Sequence, residues 1–223
     1  MGKEKTFINT LSYIYWLYFF FFYLSSSALA LNDISGSNEE NSTVSKERIV
    51  KVSLQNQAVY VLDRGKVIFV APCTVGKSGH PTPKGVFHII AKSIKKRSHS
   101  YGFWVKGNDI RATENPSQAP PGGPWEYVGY PMPYWVEFAP GYGFHEGFVW
   151  TTPRTHGCIR LHGKSAIEFF NLVSIGTKIQ IADSFPEDLT IGKHLKRPRD
   201  ELLPDPPPQF MISEEAFEKP WEF

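Results

Sequence analysis

From Arg48 onward the chain alternates apolar and polar residues with a period of two and interrupts itself with turn residues every few positions. Val50, Val52 and Leu54 alternate, Gln55-Asn56-Gln57 turns the chain, and Ala58 to Leu62 runs back. Asp63-Arg64-Gly65-Lys66 turns it again into Val67 to Val70. Successive side chains of a strand point to opposite faces, so this pattern belongs to a sheet with a buried face and not to a helix. Further strands are expected over Val86 to Ala91 (after the turn Thr82-Pro83-Lys84-Gly85), over Tyr134 to Phe138, around Phe144, and over Thr177 to Ile181. One short helix is predicted. Ser165 with Glu168 three residues later is a capping-box pattern, and Ile167, Phe170 and Val173 follow at core spacing, with an end near Gly176. Residues 92–133 hold many Gly, Pro and Ser among scattered aromatics and read as a long excursion outside the core. Trp104, Trp125, Tyr127, Tyr130 and Trp135 either pack that excursion onto the domain or line a groove, and packing is the reading favoured for most. The domain is therefore mainly β and covers about residues 48–182.

The flanks differ in kind. Lys3 and Lys5 precede the apolar run Leu11 to Leu24, and small residues follow through Ala28 and Ala30. A positive start, an apolar stretch and small residues before a cut describe a signal peptide over residues 1–30. Counted from Phe7 the run is 18 residues, long enough for an uncleaved membrane anchor instead. Residues 31–47 are a polar linker. Residues 183–223 carry 5 basic and 10 acidic residues and the run Pro204-Asp205-Pro206-Pro207-Pro208, which predicts an extended or disordered acidic tail. Residues 31–182 carry 17 basic against 11 acidic residues, a net +6 that favours anionic ligands without pointing to nucleic acid. Two cysteines exclude a disulfide-rich scaffold and a four-thiolate zinc site. The cluster Lys92, Lys95, Lys96 and Arg97 reads either as a solvated loop face or as an attractor for an anionic polymer.

The chemistry concentrates in Thr155-His156-Gly157-Cys158-Ile159-Arg160-Leu161, with His145 thirteen residues before Cys158. A thiolate is a strong nucleophile, but an ordinary thiol needs a base or a positive field to ionise. His145 can accept that proton and return it to a leaving amine. His156 competes for the same role from two residues away. A glycine just before the nucleophile lets backbone N–H groups approach a substrate carbonyl, as an oxyanion hole requires. Arg160, two residues past the thiol on a strand, shares its face and can hold a carboxylate. Two other readings compete. An oxidising compartment would permit a Cys73–Cys158 disulfide, although a bridge would consume the nucleophile. A metal site from His145, His156, Cys158 and His162 lacks the spacing of zinc templates.

His145-Glu146-Gly147 followed by Thr155-His156-Gly157-Cys158-Ile159-Arg160 resembles the L,D-transpeptidase (YkuD) catalytic domain family. Gly76 to Phe87, with its central Thr82-Pro83-Lys84-Gly85, resembles the family's second motif, and the likeness extends over about residues 48–182. The resemblance implies a sandwich-like fold with a short helix after the cysteine strand. It also implies Cys158 as nucleophile and His145 as proton donor and acceptor. Gly157 and Cys158 would supply backbone donors to the oxyanion, His156 and Thr155 would shape that pocket, and Arg160 would orient the site or bind a carboxylate. The implied substrate is the tetrapeptide stem of peptidoglycan, cleaved before D-Ala through a thioester and joined 3→3 to a second stem outside the cytoplasm. No metal or organic cofactor is implied. Hydrolysis by the same site (an L,D-carboxypeptidase) and a non-catalytic wall-binding module are the alternatives. Glu146 stands where a small residue is common in the family, and its charge is expected to raise the His145 pKa.

Overall fold

The computed structural model describes residues 48–218, 220 and 221. The expected signal or anchor and the linker lie outside the described residues. Twelve strands are present: β1 (Arg48–Ser53), β2 (Ala58–Asp63), β3 (Lys66–Thr74), β4 (Gly85–His88), β5 (Ala91–Ser93), β6 (Arg97–Lys106), β7 (Asp109–Thr113), β8 (Glu126–Pro131), β9 (Trp135–Ala139), β10 (Tyr142–Glu146), β11 (Ile159–Leu161) and β12 (Lys178–Ala182). Nine of them join in the order β4-β12-β1-β2-β3-β11-β10-β9-β5, and the order β7-β6-β8 makes a separate small sheet. The large sheet curls over its own core. Phe87 on β4 and Phe138 on β9, far apart in the strand order, meet with ring centroids 5.2 Å apart. This is the mainly-β, sandwich-like architecture expected.

The period-two pattern explains the layers. Val50, Val52, Val59 and Val61 point into the main core with Phe144, Ile159 and Leu161. The opposite face of β2 is also apolar, and Ala58, Tyr60 and Leu62 form a second cluster with Leu195 packed against it. That face is covered by the chain after β12, so β2 is buried on both sides. A helix, α1 (Gly163–Leu172), closes the main core, with Phe169 against Phe144 at 4.5 Å between centroids. Burying two such rings stabilises the fold by about 2 kcal/mol each. The helix starts two residues before the predicted cap. His162 is the N-cap and makes no side-chain bond, and Ser165 lies inside the first turn. At the other end Lys92 Nζ donates to Phe170 O and Val173 O, placing a cation on the helix's free carbonyls.

Two expectations are corrected. Residues 92–133 contain most of β5 and all of β6 to β8, and β6 is the longest strand among the described residues. Its ladder with β8 shifts register between Arg97 and Gly102, a bulge that breaks the alternation a sequence pattern depends on. The described part of the acidic tail, in turn, is folded. It forms 3-10 turns at Pro186–Leu189, Ile191–His194, Asp200–Leu202 and Glu214–Phe217, and a short helix, α2 (Pro208–Ile212). Its first half is tied to the first hairpin: Asp188 accepts from Tyr60, Ser53 and Asn56, and Lys51 pairs with Glu187 at 2.6 Å. Its second half packs on the small sheet, where Phe103, Phe148, Met211, Ala216 and Trp221 make a third apolar cluster. No helix among the described residues is long and apolar enough to cross a membrane.

Candidate active site

Strands β10 and β11 run parallel with Phe144 opposite Ile159 and His145 opposite Arg160. A parallel neighbour requires a crossover, and residues 147–158 supply it as a loop that returns the chain to the same end of the sheet. Phe144 and Ile159 are buried in the main core. Alternation therefore sends His145 and Arg160 to the other face, and Cys158, two residues before Arg160, goes with them. On that face His145, Cys158 and Arg160 line one cavity of 550 Å³, roofed by the small sheet through Tyr101, Phe103 and Tyr130.

The loop that presents the thiol is sewn to the second sequence motif. Gly76 bridges to Thr155, Lys77 N–H donates to Thr155 O at 2.9 Å, and Gly76 N–H donates to Thr82 Oγ1 at 2.9 Å. Thr82 Oγ1 in turn donates to Gly157 O at 2.9 Å. The Thr-Pro turn is thus part of the site's frame, a role that its motif signals in sequence. Thr155 completes it: its hydroxyl donates to Cys158 O at 2.6 Å and accepts Gly157 N–H at 3.1 Å. The Gly157 N–H is therefore engaged within the loop, and Gly157 here shapes the site through its backbone. With φ at 110° and an added Cβ only 2.5 Å from Tyr142 Cε1, this position admits no side chain.

His145 is 4% exposed, and its Nδ1 lies 2.7 Å from Glu146 O. A carbonyl only accepts, so Nδ1 carries the proton and Nε2 keeps its lone pair. Burial, with the Arg160 cation second, drives the imidazole pKa down to about 3. Glu146 opposes this shift through its backbone carbonyl, but burial and Arg160 outweigh it, so the net rise expected from Glu146 is not found. Its carboxylate Oε1 accepts the Trp221 backbone N–H at 2.6 Å. Cys158 is half-buried, with Sγ 3.7 Å from Gly141 O. Burial pushes its thiol up, while the Gly143 amide and Arg160 pull the other way. Cys73 is a second free thiol, fully buried on β3 opposite Leu161, so the disulfide reading is set aside. Burial holds Cys73 far above the ordinary thiol range.

His156 also lines the cavity, but it is held by its neighbours. Tyr101 stacks on it at 4.4 Å and 17°, His80 meets it edge-on at 4.6 Å, and Glu114 Oε1 lies 3.7 Å from Nε2. It ties the small sheet to the loop that presents Cys158. Arg160 packs its Cδ against Gly147, holds its guanidinium 5.8 Å from the Tyr130 ring, and keeps a buried Nε with no hydrogen-bond partner among the described residues. Of the predicted aromatics, Tyr130 and Trp135 line the cavity. Trp104 and Tyr127 pack edge-to-face within the small sheet, and Trp125 stacks under Arg111. The basic cluster is divided: Lys92 caps α1, Arg97 binds tail carbonyls, Lys95 makes an exposed pair with Glu214, and Lys96 lines the cavity. Sequence reasoning missed Tyr101, Glu114 and Glu137. Glu137 clamps the turn facing the thiol, accepting from Gly141 N–H and Trp135 Nε1. An acidic residue inside an apolar strand was its only signal.

The family profile of the L,D-transpeptidase catalytic domain matches residues 47–181. Among solved structures the chain is similar to an L,D-transpeptidase from Stackebrandtia nassauensis, at 22% identity over 63% of this chain and 57% of that one, with a TM-score of 0.48. It is also similar to one from Mycobacterium smegmatis (20% identity, 61% and 58%, TM-score 0.45). A third, from Xylanimonas cellulosilytica, matches at 17% identity over 61% and 60%, with a TM-score of 0.47. The chain spans less than two thirds of the length of each. No curated protein matches it.

Proposed function

Because the chain belongs to the L,D-transpeptidase catalytic domain family, we propose that it cleaves and re-forms peptide bonds in peptidoglycan stems, with Cys158 as the nucleophile and His145 as the proton carrier. The observation that carries this reading is the shared cavity: one face of two parallel strands presents a free thiol and an imidazole whose Nε2 lone pair is available. His145 Nε2 takes the thiol proton as Sγ attacks the carbonyl of the third stem residue. The C–N bond to D-Ala breaks, the proton goes to the departing amine, and a thioester remains. A second stem's amine then attacks the thioester, gives its proton to His145, and leaves a 3→3 cross-link with the thiol restored. The buried Arg160 Nε and the cavity-lining Lys96 support recognition of stem carboxylates. Lys3 and Lys5 ahead of the apolar run Leu11 to Leu24, with the small residues Ala28 and Ala30 after it, support export to the periplasm or cell envelope, where such stems lie.

The test is incubation of the protein with disaccharide-tetrapeptide, with products followed by mass. The dimer is expected, and tripeptide with free D-Ala in its place would make water the acceptor and the enzyme a carboxypeptidase. Cys158→Ala should abolish both products, and undiminished turnover in Cys158→Ser would refute the thiol mechanism. A carbapenem should add its mass to Cys158 alone.

A further inference from the structure

Glu146 makes two contacts that point in different directions. Its carbonyl orients His145 Nδ1, while its carboxylate, in a residue only 1% exposed, receives the backbone N–H of Trp221. Glu146 Oε1 also lies at the start of α1, 3.8 Å from where a Cβ on Gly163 would stand, and Pro220 Cβ is 3.1 Å from that same point. Pro220 and Trp221 are therefore wedged between the base strand and the helix behind it. Trp221 is itself anchored. Its indole Nε1 donates to Ala216 O at 2.9 Å, and its ring meets Tyr130 at 6.1 Å and Phe210 at 6.0 Å. Tyr130 in turn lines the catalytic cavity. The same tail segment is gripped from the small sheet by Arg97, whose guanidinium donates to Met211 O, Ile212 O and Ser213 O.

We infer that the tail from Asp200 to Glu218, with Pro220 and Trp221, is a strap that positions the catalytic base, with Trp221 acting on His145 through Glu146. The inference rests on the proposed role of His145 and deepens it. Its physical content is that a carbonyl can select one imidazole tautomer only if the peptide carrying it is held still. Strand bonds from Glu146 N–H to Pro133 O and from Gly147 N–H to Leu161 O fix the backbone at position 146, and a hydrogen bond from a residue 75 positions later in the chain fixes its side chain. Glu146 and Trp221 touch neither thiol nor cavity in this arrangement, so they are positioning residues.

The experiment uses the whole protein labelled with 15N-histidine. Long-range proton–nitrogen spectra read the protonation of each ring nitrogen, and the His145 signals are assigned by their loss in His145→Gln. The wild type should show a single tautomer protonated at Nδ1. Trp221→Ala and Glu146→Ala should show mixed or exchanging tautomers. Carbapenem acylation of Cys158 should slow by about 10- to 100-fold in both, the range that a displaced catalytic group produces, with the half-saturating concentration unchanged. Glu146→Gln, which keeps an acceptor oxygen for the Trp221 N–H, and Trp221→Phe, which keeps a ring in the anchor, should each restore the single tautomer and most of the rate. A Trp221→Ala protein that melts cooperatively with the wild-type tautomer and the wild-type rate would overturn the strap. If Trp221→Ala does not fold, Glu146→Ala decides on the same two readouts with the indole anchor in place. A wild type with one clean tautomer that takes up no carbapenem would sink the transpeptidase reading and leave the strap standing, because the tautomer is read without substrate.

Discussion

His145 and Cys158 are driven to their uncharged forms by the same cause. Burial lowers the imidazole to about 3 and raises the thiol, so at neutral pH the pair rests as thiol and neutral imidazole. Arg160 sharpens the asymmetry, since its cation opposes an imidazolium and favours a thiolate. In the proposed mechanism the thiol proton is therefore transferred during attack and not before it. Two pH dependences follow. A base that stays unprotonated down to low pH keeps acylation of Cys158 nearly constant from pH 7 to about 5, where an ordinary imidazole would already be mostly protonated. A steep loss of carbapenem acylation between those limits would contradict it. Stability moves as well. An unfolded imidazole titrates near 6.5 and the folded one near 3, so between these values the unfolded chain binds more protons. The fold therefore loses stability as pH falls through that window, by at most about 1.4 kcal/mol per pH unit from this residue, and the loss levels off below it. His145→Gln should flatten that part of the acid-denaturation curve.

At the scale of elements, the site depends on what stands behind β10 and β11. Phe169 of α1 packs on Phe144 and tilts against Phe69 at 6.1 Å, backing the strand that carries His145. Phe169→Ala should cost about 3–5 kcal/mol, read from the midpoint of chemical unfolding, because the emptied space is walled by rigid strands and cannot collapse. A loss under 1 kcal/mol would mean that α1 is peripheral. The elements also show what can be read from sequence. The first hairpin, the Thr82-Pro83 turn and the His-to-Cys spacing are legible because their determinants are local: alternation, turn chemistry, and a crossover of fixed length. The small sheet is not. Its bulge at Arg97–Gly102 interrupts the period, and its buried face, with Phe103, is completed by Met211 and Trp221 from the far end of the chain. The capping box at Ser165 misleads as well, because the helix begins at Gly163 after His162, which makes no side-chain cap bond, and Pro220 from the far end of the chain lies against Gly163. The motif residues that meet in the cavity could be named from sequence, whereas the contacts that hold them (Thr82 to Gly157, Tyr101 on His156, Trp221 on Glu146) join distant segments.

For the whole molecule, the split between a basic body and an acidic tail resolves into attachment of one to the other. The ion pairs between body and tail are not equal. Lys84–Asp183 and Lys95–Glu214 are more than half exposed on both partners, and solvent and salt reduce such pairs to a fraction of a kcal/mol. Lys51–Glu187 is better shielded, with side chains 19% and 13% exposed. Arg97 stands apart, because its partly buried guanidinium fills four carbonyls at once: Gly129 on β8 and Met211, Ile212 and Ser213 on the tail. Phe217 adds a ring 4.9 Å from its charge. Burial lowers the Arg97 pKa, with Glu214 opposing, which marks a charge held where desolvation is felt. Removing it strands several acceptors away from water, which costs more than a surface ion pair can return. Arg97→Ala should therefore destabilise the protein by about 2–4 kcal/mol and expose the tail near Leu202 and Leu203 to protease, while Lys84→Ala should change stability by less than about 0.5 kcal/mol. Adding 0.5 M salt should erase what remains of the Lys84 effect and leave the Arg97 effect in place, since screening over a few ångströms weakens exposed pairs far more than shielded hydrogen bonds. Equal losses from the two substitutions would mean that long-range charge attraction holds the tail down. The geometry assigns that work to the carbonyls around Arg97 and to the apolar cluster beneath them.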